Sequence, residues 1–220
     1  MRALGIILAG GNNNRMKELS KKREELPYEI DADIRKSYKG GFTYLNDLYK
    51  GQETGAGIVF DKNSMYPAKM KNEYLPFSTP IFFEGQYKED KLYKLYIQTI
   101  SCSFELKEGK IPSIQIKNNL SFVPNEYVKS TDGDIVTLTL TNIDLELFFE
   151  NYEVYDILYH NGFKFKSVKG LFSGYIDYWT ERKINAKKEN NNVLYIISKL
   201  MLNSLYGKFG LNPRVRGKIP

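Results

Sequence analysis

Cysteine and histidine are almost missing from these 220 residues: each occurs once, as Cys102 and His160. A single cysteine excludes an internal disulfide, which favours a reducing, cytosolic setting. The lone histidine stands beside Asn161-Gly162, a dipeptide that suits a type I′ hairpin turn, so it reads as a solvated turn neighbour and not as a catalytic base. Long hydrophobic runs are missing too. The stretches Leu4 to Ala9 and Ile143 to Phe149 fall far below the roughly 20 residues needed to cross a bilayer, so no membrane span is expected. The N-terminus lacks the basic, apolar and small-residue pattern of a signal peptide. There is no internal repeat, and the Asn triplets at 12–14 and 190–192 are too short to be low-complexity tracts.

What is present is enough for a folded core, at 42% hydrophobic residues, with 17 tyrosines and a net charge of +6. The basic residues are uneven: Arg182, Lys183, Lys187, Lys188, Lys199, Lys208, Arg214, Arg216 and Lys218 crowd the last 40 positions. Such a cluster is either a solvated face or a polyanion-binding surface, and aromatics interleaved with Lys and Arg suit base stacking. Residues 1–23 read as a short strand (Leu4 to Leu8), a Gly-Gly turn and a basic helical stretch. Strands are predicted in "LYIQTISCSFELK", "IPSIQIK" and "DIVTLTLT" from their alternation, and a hairpin in "YDILYHNGFKFKS". The segment "TNIDLELFFENY" predicts a helix capped by Thr141 or Asn142. Two helical arms, "GYIDYWTERKINAKK" and "NVLYIISKLMLNSLYGKFG", flank the polar tip "ENNN", and the second ends at Gly210 with Pro213 beyond.

Two stretches carry chemistry. In "VFDKNSMYP", residues 59–67, an apolar approach read as a buried strand runs into Asp61. A strand-end Asp ordinarily begins a turn, but it can also hold a magnesium ion, which takes one or two carboxylates besides phosphate oxygens and water. The Lys62 carbonyl would add a ligand, and backbone N–H groups of the Asn63 to Tyr66 turn, Ser64 included, would face a triphosphate. In the second arm Lys199, Asn203 and Tyr206 stand at i, i+4 and i+7 and share one helical stripe. That stripe is either solvated or a place where Lys199 meets a triphosphate and Tyr206 stacks beside a base.

Together, "DKNSMYP" and "KLMLNSLYGKFG" resemble motifs A and B of family B DNA polymerases, D-x-x-S-L-Y-P and K-x-x-x-N-S-x-Y-G. "YKGGFTYLND" resembles the Y-x-G-G motif of the protein-primed branch found in small tailed phages and linear plasmids, and the likeness runs from about Leu26 to Pro220. The resemblance implies that Asp61 is a catalytic metal ligand with Lys62, for Mg²⁺. It implies that Tyr66 packs beneath the nucleotide sugar and excludes a ribose 2′-OH. Ser64, Lys183, Lys199, Asn203 and Tyr206 would bind the nucleotide, and Tyr38, Gly40, Gly41, Gly207 and Lys208 would meet DNA. The partners implied are template-primer DNA, a deoxynucleoside triphosphate and a terminal protein, in the cytoplasm of a bacterial host. One departure is Tyr195, where this branch often carries a basic residue.

The 220 residues contain no Y-x-D-T-D-S motif C, the family's source of a second metal-binding carboxylate. Asp132 and Asp134 in "STDGD" do not replace it: they precede motif B, and Gly133 marks a turn. Residues 1–23, with "LAGGNNNRM" and "KKR", resemble the start of glycogen-type sugar-phosphate nucleotidyltransferases, but no doubly wound sheet follows to complete a pocket. The fold class expected is α+β: an incomplete polymerase palm with a β-rich insertion and an antiparallel helical fingers hairpin. The organisation expected is a fused leader over 1–25, partial palm with motif A over 26–72, a β-rich, terminal-protein-contacting insertion over 73–170, and fingers with motif B over 171–220. Such a chain is expected to be a fragment inactive alone in templated nucleotidyl transfer, the alternatives being a non-catalytic DNA- or terminal-protein-binding remnant and, third, a sugar-phosphate nucleotidyltransferase.

Overall fold

The computed structural model describes residues 26–117, 120–123 and 126–210, the last four of these by backbone only. The expected leader, 1–25, lies outside the described residues. In chain order the elements are α1 (Tyr28–Lys36), α2 (Met65–Asn72), β1 (Tyr74–Glu84), β2 (Leu95–Leu106), β3 (Val136–Thr141), α3 (Asn142–Asn151), β4 (Tyr152–Lys169), α4 (Ser173–Lys188) and α5 (Asn192–Gly210). A short 3-10 turn, Asp47–Tyr49, lies between α1 and α2. This is the α+β mixture expected. The chain divides into two units, each discontinuous in sequence: one holds 58–79 and everything from Lys166 onward, the other 26–57 and 80–165.

The sheet has strand order β1-β4-β2-β3, with β2 antiparallel to both of its neighbours, and β2, β3 and residues 152–165 of β4 belong to the second unit. In β3 the residues Val136, Leu138 and Leu140 are buried while the threonines between them are not, the period of two that a half-buried strand requires. With Ile100, Cys102 and Phe104 of β2 and Leu145, Phe148 and Tyr152 of α3 and its end, they form one apolar core. Helix α3 begins as predicted: the Thr141 hydroxyl oxygen accepts from the Asp144 N–H at 3.2 Å and donates to the Asp144 carboxylate at 2.7 Å. The turn predicted at Gly133 is also present, closed by Asp134 N–H to the Thr131 carbonyl at 2.9 Å.

Two predictions of local structure in the β-rich part fail. Asn161-Gly162 is no hairpin turn but sits in the middle of β4, paired with Thr99 and Gln98. Glycine is there for space: a Cβ at Gly162 would lie 2.1 Å from the Ile97 carbonyl oxygen and 2.5 Å from the Phe83 ring. The buried Gln98 amide reinforces the pairing, donating to the carbonyls of Asn161 at 2.9 Å and Gly85 at 3.1 Å. His160 is exposed, as expected, but on the strand, where its Nε2 lies 2.7 Å from the Ser101 hydroxyl. The second failure is "IPSIQIK", which is not a strand although Ile114 and Ile116 are buried. Its backbone bonds lie elsewhere: the N–H groups of Ser113 and Ile114 donate to the Tyr152 hydroxyl, and Val128 N–H donates to the Ile114 carbonyl at 2.8 Å. Alternating burial therefore records packing here, not a ladder.

The first unit contains the antiparallel helical arms. Asn191 caps α5 by accepting from Leu194 N–H at 3.0 Å, which places the polar tip where the sequence puts it. Ile176 and Ala186 of α4 and Ser198 and Leu202 of α5 are buried, and the Tyr175 hydroxyl donates to the Met201 carbonyl at 3.0 Å. Burial raises the Tyr175 pKa, which keeps that donor protonated.

Candidate functional site

The candidate site lies within the first unit and is assembled at the N-terminal end of α2. Pro67 is accommodated in the first turn of this helix, where backbone N–H groups have no intrahelical partner. The N-cap is Ser64, held in the left-handed region at φ 50° and ψ 40°, a conformation uncommon for a residue with a side chain. Its hydroxyl makes no cap bond. It accepts from the Lys183 ammonium of α4 at 2.8 Å, across 119 residues of sequence. Within the first turn of α2, the Tyr66 ring stacks on Tyr206 of α5, centroids 4.2 Å apart and planes 21° apart. Two pairs of the residues singled out in the sequence are thus brought together directly.

Lys199 and Asn203 are exposed on α5 along the stripe that ends at Tyr206. The Lys199 ammonium makes no hydrogen bond or ion pair among the described residues, and so is available to an anion. Gly207 lies on the same helix; its surroundings and the Lys208 side chain fall outside the described residues.

Asp61 is placed differently from the prediction. The approach to it is not a buried strand: Ile58, Val59 and Phe60 have no regular structure and are 81%, 95% and 88% exposed. Asp61 and Lys62 are exposed as well, and the Asp61 carboxylate makes no hydrogen bond or ion pair among the described residues. No three His, Cys, Asp or Glu side chains converge among the described residues. The donor chemistry, one free carboxylate beside a backbone carbonyl, still fits magnesium, which needs only one or two carboxylates from a protein.

The Y-x-G-G residues belong to the second unit. Tyr38, Gly40 and Gly41 are exposed, and just beyond them Phe42, Tyr44 and Tyr127 form an aromatic cluster, Phe42 and Tyr127 at 4.8 Å. Tyr44 and Tyr127 line a cavity of about 660 Å³ with Lys50, Lys129 and Asp47. The sequence pattern did not single out this cavity, because Tyr127 joins the cluster only through folding: its hydroxyl accepts from the Thr43 N–H at 3.2 Å.

A family described as DNA polymerase type B, organellar and viral, matches residues 14–220, beginning inside the segment read as a leader. The DNA polymerase of Bacillus phage Nf is 51% identical over 207 residues, 93% of this chain and 35% of its own length. That of Bacillus phage phi29 is 49% identical over 204 residues, with the same shares of 93% and 35%. That of Streptococcus phage Cp-1 is 38% identical over 191 residues, 84% of this chain and 33% of its own. The chain therefore spans about a third of the length of the curated relatives it matches. Among solved structures, phi29 DNA polymerase complexed with primer-template DNA and incoming nucleotide superposes with a TM-score of 0.78 at 49% identity, over 83% of this chain and 31% of that one. The same polymerase with single-stranded DNA gives 0.79 at 50% identity, over 89% and 33%.

Proposed function

The chain belongs to the organellar and viral type B family of DNA polymerases, and from that membership we propose that it carries the nucleotide-binding part of a templated, protein-primed nucleotidyl transferase. In the parent reaction a 3′-hydroxyl, or a protein hydroxyl at initiation, bonds to the α-phosphorus of a deoxynucleoside triphosphate while the α–β bond breaks and pyrophosphate leaves. The observation that carries the reading is the convergence of Lys183 on Ser64 at 2.8 Å and of Tyr66 on Tyr206 at 4.2 Å. It puts an ammonium at the positive end of α2, where phosphate oxygens are favoured, beside a tyrosine pair suited to sugar and base.

Lys183 and Lys199 bind the phosphates, Ser64 and the N–H groups that follow it orient them, and Asn203 and Tyr206 line the base pocket. Tyr66 lies under the sugar and rejects a 2′-hydroxyl. Asp61, with the Lys62 carbonyl, would hold Mg²⁺, which when bound would offset the charge developing on the phosphate oxygens. DNA is met by Tyr38, Gly40 and Gly41 of one unit and by Gly207 and Lys208 of the other, and residues 73–170 include the surface offered to a terminal protein. The likeness to phage polymerases supports action in the cytoplasm of a bacterial host.

Isothermal titration with a deoxynucleoside triphosphate and Mg²⁺ tests this function. Binding is expected, weakened about tenfold or more by Lys199→Ala and by Lys183→Ala, since each removes a charge-assisted phosphate contact. Absence of binding, or binding indifferent to both lysines, would refute it. Because these residues include one motif A carboxylate and no motif C, the chain alone is expected to bind without extending a primer, and robust extension would show that a second carboxylate is dispensable.

A further inference from the structure

The proposed nucleotide contacts use the N-terminal end of α2, yet its C-terminal end is also tied to α4. Lys71 forms an ion pair and hydrogen bond with Asp177. At the opposite end Ser64 accepts from Lys183. Ser64 precedes Lys71 in the chain, whereas its partner Lys183 follows Asp177, so the two helices run antiparallel between these links. The links are seven residues apart along α2 and six along α4, spans of about 10 and 9 Å at the helical rise. Matched spans allow both links to form at once with neither helix bent.

A nucleotide acts on the two links differently. Ser64 holds Lys183 through one neutral hydroxyl, a partner that a triphosphate displaces because its charged oxygens bind an ammonium more strongly. Among the described residues, Lys71 and Asp177 share no hydrogen bond or ion pair with the proposed nucleotide residues, so their pair persists in both states. At 38% and 55% side-chain exposure it adds little to overall stability. Its consequence is geometric.

We infer that Lys71 and Asp177 are positioning residues for the triphosphate: their ion pair clamps α4 on α2 in the register that keeps the Lys183 ammonium over the α2 N-terminus. The inference rests on the nucleotide role proposed for Lys183 and Ser64, and the test separates the two. Trp179, the single tryptophan, lies one helical turn before Lys183 and reports binding by its fluorescence. Magnesium dTTP, inorganic triphosphate and thymidine are titrated against the 220-residue chain, Lys71→Ala, Asp177→Ala and the charge swap Lys71→Asp with Asp177→Lys.

Each single variant is expected to weaken dTTP and inorganic triphosphate about two- to fivefold, the range of an exposed ion pair. The swap restores affinity, and thymidine is unaffected. Unchanged affinity in the single variants, or a swap no better than they are, overturns the clamp. Failure of the unsubstituted chain to bind any triphosphate would sink the nucleotide role alone. The clamp then stands on hydrogen exchange without nucleotide: the first turn of α2 and residues 180–183 exchange faster in each single variant and recover in the swap, and equal exchange in all four refutes it.

Discussion

At the residue scale, space and burial decide what individual side chains can be. Gly162 is confined by the Ile97 carbonyl and the Phe83 ring, and the first of these is backbone that cannot swing away. Gly162→Ala is therefore expected to destabilise the chain by about 3 kcal/mol or more, at the upper end of overpacking costs, read as a fall in the urea midpoint. Gly174, with nothing within 4 Å of an added Cβ, is the control, and its alanine variant should unfold near the unsubstituted midpoint. Cys102 is fully buried in β2, and desolvation pushes its thiol up to about 11. The thiolate is the reactive form, so the cysteine should resist a disulfide reagent at neutral pH until urea unfolds the chain. Rapid labelling in the folded state would show that the β2 core opens locally.

Among the elements, α3 and the ion pairs of the second unit show how local chemistry is carried into tertiary structure. Thr141→Ala removes the cap of α3 and is expected to cost about 1 kcal/mol, checked by the same denaturation. Three carboxyls of this unit are held below the usual range by lysine partners: Asp47 by Lys129, Asp90 by Lys164 and Glu150 by Lys110. A lowered folded pKa stabilises the fold above the unfolded value, and that stabilisation fades as pH falls through the folded one. Lys129 and Lys164 are raised by the same partners, so their share is present below the ordinary lysine pKa and lost as pH rises through the raised values. Stability should thus be flat near neutrality and fall below about pH 4. Since Asp47, Lys129, Glu150 and Lys110 are exposed and Asp90 and Lys164 only half-buried, salt should shrink the acid limb of the curve. An acid limb insensitive to salt would place its origin in other groups.

For the whole molecule, the proposed nucleotide site draws on stretches more than a hundred residues apart that fold into one unit, while the Y-x-G-G loop folds with the β-rich segment in the other. The stripe of Lys199, Asn203 and Tyr206 was legible beforehand because helical periodicity depends only on near neighbours. The strands β2 and β3, the Thr141 cap and the Asn191 tip were legible for the same reason. Asn161-Gly162 misled because turn propensity is weighed locally, whereas pairing with Gln98 and Thr99 is a contact across some sixty residues. Alternation in "IPSIQIK" misled because it reports burial and not the partner of the backbone. The sequence by itself determined the residue types, their helical register and the family to which they belong. Tertiary structure alone decided that Ser64 meets Lys183, that Tyr66 meets Tyr206 and that Lys71 meets Asp177. Each of those pairings depends on how two helices pack, and no local rule along the chain encodes that.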